Sequence, residues 1–88
     1  MPAISAFYGI TVYMYRETGC KHHKPHVHAK YAEHEITMSF DGDVLDGWFP
    51  ANKQKLLVAW LEIHMEDLLL NWQLLQAGER VFRIEPLK

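Results

Sequence analysis

The stretch HVHAKYAEHEITMS, residues 26–39, decides the fold because its side chains alternate in character with a period of two. If the chain turns at Ala32-Glu33, the two arms form an antiparallel hairpin with one polar and one apolar face. The polar pairs are then Lys30–Glu35, His28–Thr37 and His26–Ser39, and the apolar pairs are Ala29–Ile36 and Val27–Met38. A shift of one residue would mix both faces, so the pattern predicts this register, although Ala-Glu is unfavourable chemistry for a tight turn.

Further strands are predicted on both sides of this hairpin. Phe7–Tyr15 also alternates and is rich in aromatic and β-branched residues, which is typical of a strand. A polar loop follows at residues 16–25. Val44–Leu45 lies between two Asp-Gly turns and Val81–Ile84 is stopped by a proline, so both are predicted to be short strands. Alternation in the first strand groups Tyr8, Ile10, Val12 and Met14 on one side and Phe7, Thr11, Tyr13 and Tyr15 on the other.

From about Ala51 the period changes to that of an amphipathic helix. Its apolar stripe consists of Leu57, Trp60, Leu61, His64, Leu68, Trp72 and Leu75. Pro50 suits the first turn and Gly78 suits the C-terminal cap. A helix of about 26 residues is long for so small a chain, so a kink or break is predicted near His64–Asp67. Because His64 lies in the apolar stripe, it is interpreted as a structural histidine.

These elements predict the α+β class, as a single domain spanning residues 1–88. The predicted order is β-β-β-β-α-β, with an antiparallel sheet of four to five short strands packed on one long amphipathic helix, which carries the predicted kink or break. Apolar residues make up 49% of the chain, which is enough for one core. The opposite face of the sheet is expected to carry His26, His28 and Lys30 beside Tyr13 and Tyr15.

Composition indicates a cytoplasmic protein. One cysteine, Cys20, excludes an intramolecular disulfide, and neither a signal peptide nor a membrane span is visible. The net charge of −2 argues against a general polyanion binder, but four basic residues and one acid lie between Arg16 and Lys30. A local positive patch is therefore expected, which histidine protonation would strengthen below neutral pH.

Four of the six histidines fall between Gly19 and Tyr31, and they allow a zinc hypothesis. Zinc prefers neutral imidazole and thiolate ligands in a tetrahedron. The candidate ligands are Cys20, His22, His23, His26 and His28. Their spacing matches no standard zinc signature, and the alternative interpretation is that they are solvated loop and strand residues.

The sheet face also allows a catalytic hypothesis. His26 and His28 are two apart on a strand, so their Cα atoms lie about 6.5–7 Å from each other on one face. A metal-independent ribonuclease would use them as general base and acid, with Lys30 stabilising phosphate charge. The negative net charge weighs against this hypothesis, since free ribonucleases generally use positive steering.

The favoured hypothesis is a binding module, because no complete set of acid, base and nucleophile is visible. Tyr13 and Tyr15 beside His26, His28 and Lys30 would dock a protein partner or RNA, unless a second layer covers them. This hypothesis requires both imidazoles to project into solvent, away from the helix. An exposed edge strand at residues 81–84 would also support a homodimer.

Five segments together resemble a small bacterial family, domain of unknown function 4160. They are ISAFYGITVYMY, KPHVHAKYAEHEITM, DGWFP, WLEIHMEDLLLNWQLLQAGE and IEPL. The family's repeated positions correspond to Pro25, His26, His28, Trp60, His64 and Trp72. Lys24 and Val27 depart from the family pattern, and the loop RETGCKHHK is longer than usual. The resemblance implies a small partner encoded by a neighbouring gene, of the family domain of unknown function 2442, in a suspected toxin–antitoxin module.

Overall fold

A computed structural model describes residues 3–16 and 24–88, which form a five-stranded antiparallel sheet followed by two helices. The strands are β1 (Ser5–Phe7), β2 (Ile10–Tyr13), β3 (His26–Tyr31), β4 (His34–Ser39) and β5 (Val44–Gly47), and the helices are α1 (Ala51–Ile63) and α2 (Met65–Gln76). The strands lie in the sheet in the order of the sequence, β1-β2-β3-β4-β5. The predicted α+β class is confirmed, but the observed order is β-β-β-β-β-α-α.

The predicted hairpin register is confirmed pair by pair. Lys30 faces Glu35, His28 faces Thr37 and His26 faces Ser39 on the polar side. On the apolar side, Ala29 faces Ile36 and Val27 faces Met38. The connection is the two-residue turn at Ala32-Glu33, with Ala32 at φ +53°. The burial of Val27, Ala29, Ile36 and Met38 explains why the unfavourable turn residues are tolerated, since a shift of one residue would expose apolar side chains.

Replacing Ala32 by glycine should stabilise the protein. Alanine in the left-handed region costs about 1–2 kcal/mol, and glycine removes that cost while losing more backbone entropy, so the expected net gain is about 0.5–1 kcal/mol. Urea denaturation measures this gain as an increase in the unfolding free energy. Ala6→Gly, at an exposed position of β1 without a positive φ, should instead destabilise the protein. A lower unfolding free energy for Ala32→Gly would contradict the turn geometry.

The predicted first strand, Phe7–Tyr15, is wrong at its beginning. Tyr8 and Gly9 form a two-residue turn with φ values of +50° and +81°, which joins β1 to β2. Positive φ at both central residues is the pattern of a type I′ hairpin turn. Side-chain alternation does not reveal this turn, because a tyrosine in the left-handed region is rare. The sheet therefore gains a strand, Ser5–Phe7, at its N-terminal edge.

The predicted helix break is confirmed at His64, where φ is −107° and ψ is 23°. Helical hydrogen bonding continues on both sides, because the His64 N–H donates to the Trp60 carbonyl at 3.0 Å and the Leu68 N–H donates to the His64 carbonyl at 2.9 Å. Neither α1 nor α2, in the part of the chain described, is long and apolar enough to cross a membrane.

The end of α2 also matches its prediction. Gly78 has φ +77°, and its N–H donates to the Leu75 carbonyl at 3.1 Å. The Glu79 N–H donates to the Leu74 carbonyl at 2.8 Å. This pair of bonds is a Schellman motif, which ends a helix by satisfying its last free carbonyls.

The predicted final strand, Val81–Ile84, does not form. Its backbone groups bond largely to side chains, since Asn71 Nδ2 donates to the Phe82 carbonyl at 2.8 Å and the Phe82 N–H donates to Asn71 Oδ1 at 3.0 Å. The Ile84 N–H donates to the Ile4 carbonyl at 2.7 Å, and Trp60 Nε1 donates to the Glu85 carbonyl at 2.8 Å. The edge strand on which a homodimer was predicted is therefore absent from residues 81–84.

One continuous apolar core joins the helices to one face of the sheet. Its largest fully buried side chain is Trp60, whose ring centroid lies 5.4 Å from that of Phe7. The strands contribute Ile10, Val12, Val27, Ala29, Ile36 and Met38, and the helices contribute Leu57, Trp60, Leu61 and Leu68. By strand alternation, the intervening side chains point to the opposite face of the sheet, where the candidate site lies.

Candidate functional site

The sheet face opposite the core forms an open groove of about 840 Å³, here called the sheet-face groove. Its chemically active lining residues are Tyr13, Tyr15, His28, Lys30, Glu33, Glu35, Thr37 and Asp46. Four of the five binding residues predicted from the sequence, Tyr13, Tyr15, His28 and Lys30, therefore lie together. The fifth, His26, is not part of the lining.

Strand register aligns the groove side chains in two rows. Tyr13 faces His28, His28 faces Thr37, and Thr37 faces Asp46, so one row crosses four strands. The second row runs from Thr11 through Lys30 to Glu35. Because neighbouring strands are about 5 Å apart, side chains within a row are close enough to share one bound segment.

Aromatic contacts and one hydrogen bond hold His28 in the middle of the groove. The Tyr15 ring stacks on its imidazole with centroids 4.4 Å apart and an interplanar angle of 12°. His28 Nδ1 lies 3.2 Å from Thr37 Oγ1. Tyr13 and Tyr15 are each half-buried. The two tyrosines and His28 thus offer a partly exposed aromatic surface rather than a covered core.

The expectation that both imidazoles project into solvent is wrong for His26. Its exposure is only 4%, and its ring lies 5.4 Å from the Trp72 ring of α2. Its Nδ1 is 2.7 Å from the Lys24 carbonyl, which can only accept, so Nδ1 carries the proton. Strand alternation placed His26 on the correct face, but it did not reveal that Trp72 reaches the start of β3.

Two of the four basic residues of the expected positive patch, Lys24 and Lys30, pair with carboxylates, and a third, Lys21, lies outside the described residues. Lys30 Nζ lies 3.3 Å from Glu35 Oε1 and 5.6 Å from the centroid of the Tyr13 ring. Lys24 Nζ lies 3.6 Å from Asp41 Oδ2 and 3.5 Å from Asp43 Oδ2. These exposed pairs stabilise the fold little, but each offsets the charge of its lysine. Among the residues that the structure describes, the groove lining contains one lysine and three carboxylates.

The predicted metal ligands divide between described and undescribed parts of the chain. Cys20, His22 and His23 lie outside the described residues. Within residues 3–16 and 24–88, no three candidate ligands cluster around one point. The His26 and His28 rings are close, with centroids 5.2 Å apart and planes at 79°, but Nδ1 of His26 is engaged by a carbonyl. The zinc hypothesis therefore stays a prediction.

Sequence reasoning missed Asp46, which lines the groove on its β5 side, and the exposed Trp48, which directly follows β5. A register shift between Thr37 and Met38 brings Asp46 opposite Thr37, and such an irregularity leaves no mark in the side-chain pattern. Trp48 is 60% exposed, and its ring centroid lies 4.8 Å from that of His34. His64, in contrast, is half-buried beside Trp60, with centroids 5.6 Å apart.

Comparison with known proteins adds the family. The model of a domain of unknown function, DUF4160, matches residues 9–73. The chain belongs to this family. The matched residues of the DUF4160 chain include the whole groove lining as well as His26 and Trp72. Neither the curated proteins nor the solved structures contained a match to this DUF4160 chain.

Proposed function

We propose that this chain is a protein-binding module whose sheet-face groove receives a basic segment of a partner protein. The observation that carries the proposal is the row of Tyr13, His28, Thr37 and Asp46, which presents aromatic and acidic groups along one groove. Tyrosine supplies a large contact area at a low cost in conformational entropy. The carboxylates complement lysine or arginine side chains.

The buried position of His26 favours binding over catalysis. A metal-independent ribonuclease needs two imidazoles that reach the substrate and exchange protons. His26 is 4% exposed and its Nδ1 proton is donated to the Lys24 carbonyl. Lys30, the third member of the predicted catalytic set, is paired with Glu35. Of the predicted catalytic set, His28 then remains as a candidate acid or base.

The charge of the groove favours a protein partner over RNA. Binding of a phosphate backbone depends on lysine and arginine side chains that can neutralise it. Among the described lining residues, one lysine, Lys30, lies beside three carboxylates, Glu33, Glu35 and Asp46, and this balance disfavours phosphate. The same carboxylates attract a basic peptide segment, and rims of complementary charge accelerate association.

We further propose that the partner is the small neighbouring-gene product implied by the family resemblance. The two proteins would form a toxin–antitoxin-like module, in which this chain acts by binding rather than by cleavage. Groove charge supports a basic segment in that partner as the bound element. Binding of this partner through a basic segment can be tested directly.

Replacement of Tyr15 or His28 by alanine should weaken partner binding about tenfold or more, because each removes one half of the stacked pair at the centre of the groove. Titration calorimetry with the purified neighbouring-gene product measures the change. Tyr8→Ala is the matched control, since Tyr8 is 55% exposed but lies in the β1–β2 turn outside the groove lining. Unchanged affinity for both groove variants, or RNA cleavage that His28→Ala abolishes, would contradict the proposal.

A further inference from the structure

The sheet-face groove already holds one ammonium group, which belongs to the chain itself. Lys30 Nζ lies 3.3 Å from Glu35 Oε1 and 5.6 Å from the centroid of the Tyr13 ring. Both partners line the groove, as Lys30 does. Tyr13 stands on β2 and Glu35 on β4, so the sheet holds them on either side of Lys30 in β3. We call Tyr13 and Glu35 the cation subsite.

The cation subsite combines two groups that attract an ammonium ion by different means. An aromatic ring attracts a cation to the negative face of its quadrupole, and a carboxylate accepts charge-assisted hydrogen bonds from it. Because Lys30 Nζ lies beside both groups, the structure shows which chemical class the subsite accepts. That class is a primary ammonium group on a flexible stem, as in a lysine side chain.

The hold of the cation subsite on Lys30 is weak. The Lys30 side chain is 57% exposed and the Glu35 side chain is 71% exposed. An ion pair this exposed is screened by water and restricts two long side chains, so it contributes little free energy. The four-carbon stem of lysine can rotate its ammonium group away without any movement of the strand. A second ammonium group can therefore replace that of Lys30 at small cost.

We propose that the cation subsite receives a lysine side chain of the bound basic segment, and that Lys30 occupies the subsite until this segment displaces it. The inference rests on the proposed function, to which it adds the place where a cation of the segment binds and the group that competes for that place. Lys30 is then an internal competitor that lowers the affinity of the groove. In the ribonuclease hypothesis, by contrast, Lys30 would raise affinity by binding phosphate.

Lys30→Met tests the inference, because methionine keeps a flexible stem but has no ammonium group. The probe is a fluorescently labelled peptide of alternating lysine and glycine, whose binding to the full chain is followed by fluorescence anisotropy. Lys30→Met should tighten binding about three- to tenfold, since the peptide no longer displaces a resident cation. Lys30→Arg keeps the charge and should stay within about twofold of the wild type. Unchanged or weaker binding of the peptide to Lys30→Met would overturn the inference.

Lys24→Met is the matched control for net charge. Lys24 is 54% exposed and pairs with Asp41 and Asp43, but it is not part of the groove lining. Its replacement makes the same change in net charge and should alter peptide affinity less than about twofold. A gain equal to that of Lys30→Met would overturn the inference, because the overall charge would then explain both.

Glu35→Gln locates the effect at the cation subsite. When it is added to Lys30→Met, it should remove the gain in affinity, because the peptide lysine then has no carboxylate to bind in the subsite. A double variant that binds as tightly as Lys30→Met alone would overturn the inference. Circular dichroism melts check that each variant is folded.

Tyr15→Ala distinguishes a failure of this inference from a failure of the proposed function. If Tyr15→Ala does not weaken binding of the lysine peptide, the peptide does not bind in the groove, and both proposals fail. If Tyr15→Ala weakens binding but Lys30→Met does not tighten it, the groove binds basic segments without the displacement of Lys30. In that case the proposed function holds and the cation subsite is wrong.

Discussion

Gly47→Ala is expected to destabilise the protein by about 4 kcal/mol or more, which is a large part of the stability of a small domain. A Cβ at this position would collide with the Glu35 carbonyl oxygen and lie 2.9 Å from Ile36 Cα. Both contacts are with the backbone of β4, which cannot move without breaking the β4–β5 pairing. Gly47 also has φ +81°, a conformation that costs alanine about 1–2 kcal/mol by itself.

Gly42→Ala separates the two contributions. Gly42 has φ +93°, but a Cβ there would meet only the Val58 side chain at 3.5 Å, an ordinary contact. It should cost about 1–2 kcal/mol, from backbone strain alone. Urea denaturation gives the unfolding free energy of both variants. The difference between them is the cost of the steric contact between β5 and β4. If both variants lost the same unfolding free energy, β4 and β5 would have to lie further apart than they do in this structure.

Asn71→Ala is the second substitution with a large expected effect, a loss of about 2–4 kcal/mol. Asn71 is fully buried, and its side chain both donates to and accepts from the backbone of Phe82. Alanine would leave the N–H and the carbonyl of Phe82 without these partners. The segment after α2 would then be held by fewer bonds, so trypsin should cleave at Arg80 and Arg83 faster than in the wild type.

Two further variants sharpen this test. Asn52→Ala changes an exposed asparagine of α1 and should alter the unfolding free energy by less than about 0.5 kcal/mol. Asn71→Asp keeps the acceptor but needs a proton to donate to the Phe82 carbonyl. The folded state then holds that proton more tightly than the unfolded chain, so its stability should fall as pH rises from about 4 to 7. Wild-type stability for Asn71→Ala would contradict the role assigned to this side chain.

Sequence reasoning succeeded where burial constrains the pattern. The register of β3 and β4 followed from a strict separation of polar and apolar pairs, and the Gly78 cap followed from its position after the last periodic residue. It failed where the structure depends on a contact between distant parts of the chain, or on an unusual local backbone conformation. Tyr8 adopts a positive φ that its side chain does not favour, and the backbone of Phe82 bonds to the Asn71 side chain rather than to a strand.

The candidate site was likewise predictable only in part. Alternation placed Tyr13, His28 and Lys30 on one face, and the structure brings them together in the groove. The alternation of polar and apolar residues along a strand indicates which face a residue occupies, but not what covers it. The burial of His26 by Trp72 was therefore not predicted. The acidic character of the groove depends on cross-strand pairing and on the irregularity in β4, which the sequence pattern does not contain.

The bond between Ile84 and Ile4 has a consequence for the order of folding. Every strand of the sheet pairs with its neighbour in sequence, so the meander closes only short loops. Two hydrogen bonds join the ends of the described chain: the Ile84 N–H donates to the Ile4 carbonyl, and the Arg83 guanidinium donates to the Ala3 carbonyl, 80 residues away. These terminal bonds close by far the longest loop. We therefore expect the meander to form within the folding nucleus and the terminal bonds to form afterwards, so that mutations at Ile84 accelerate unfolding while leaving the folding rate nearly unchanged.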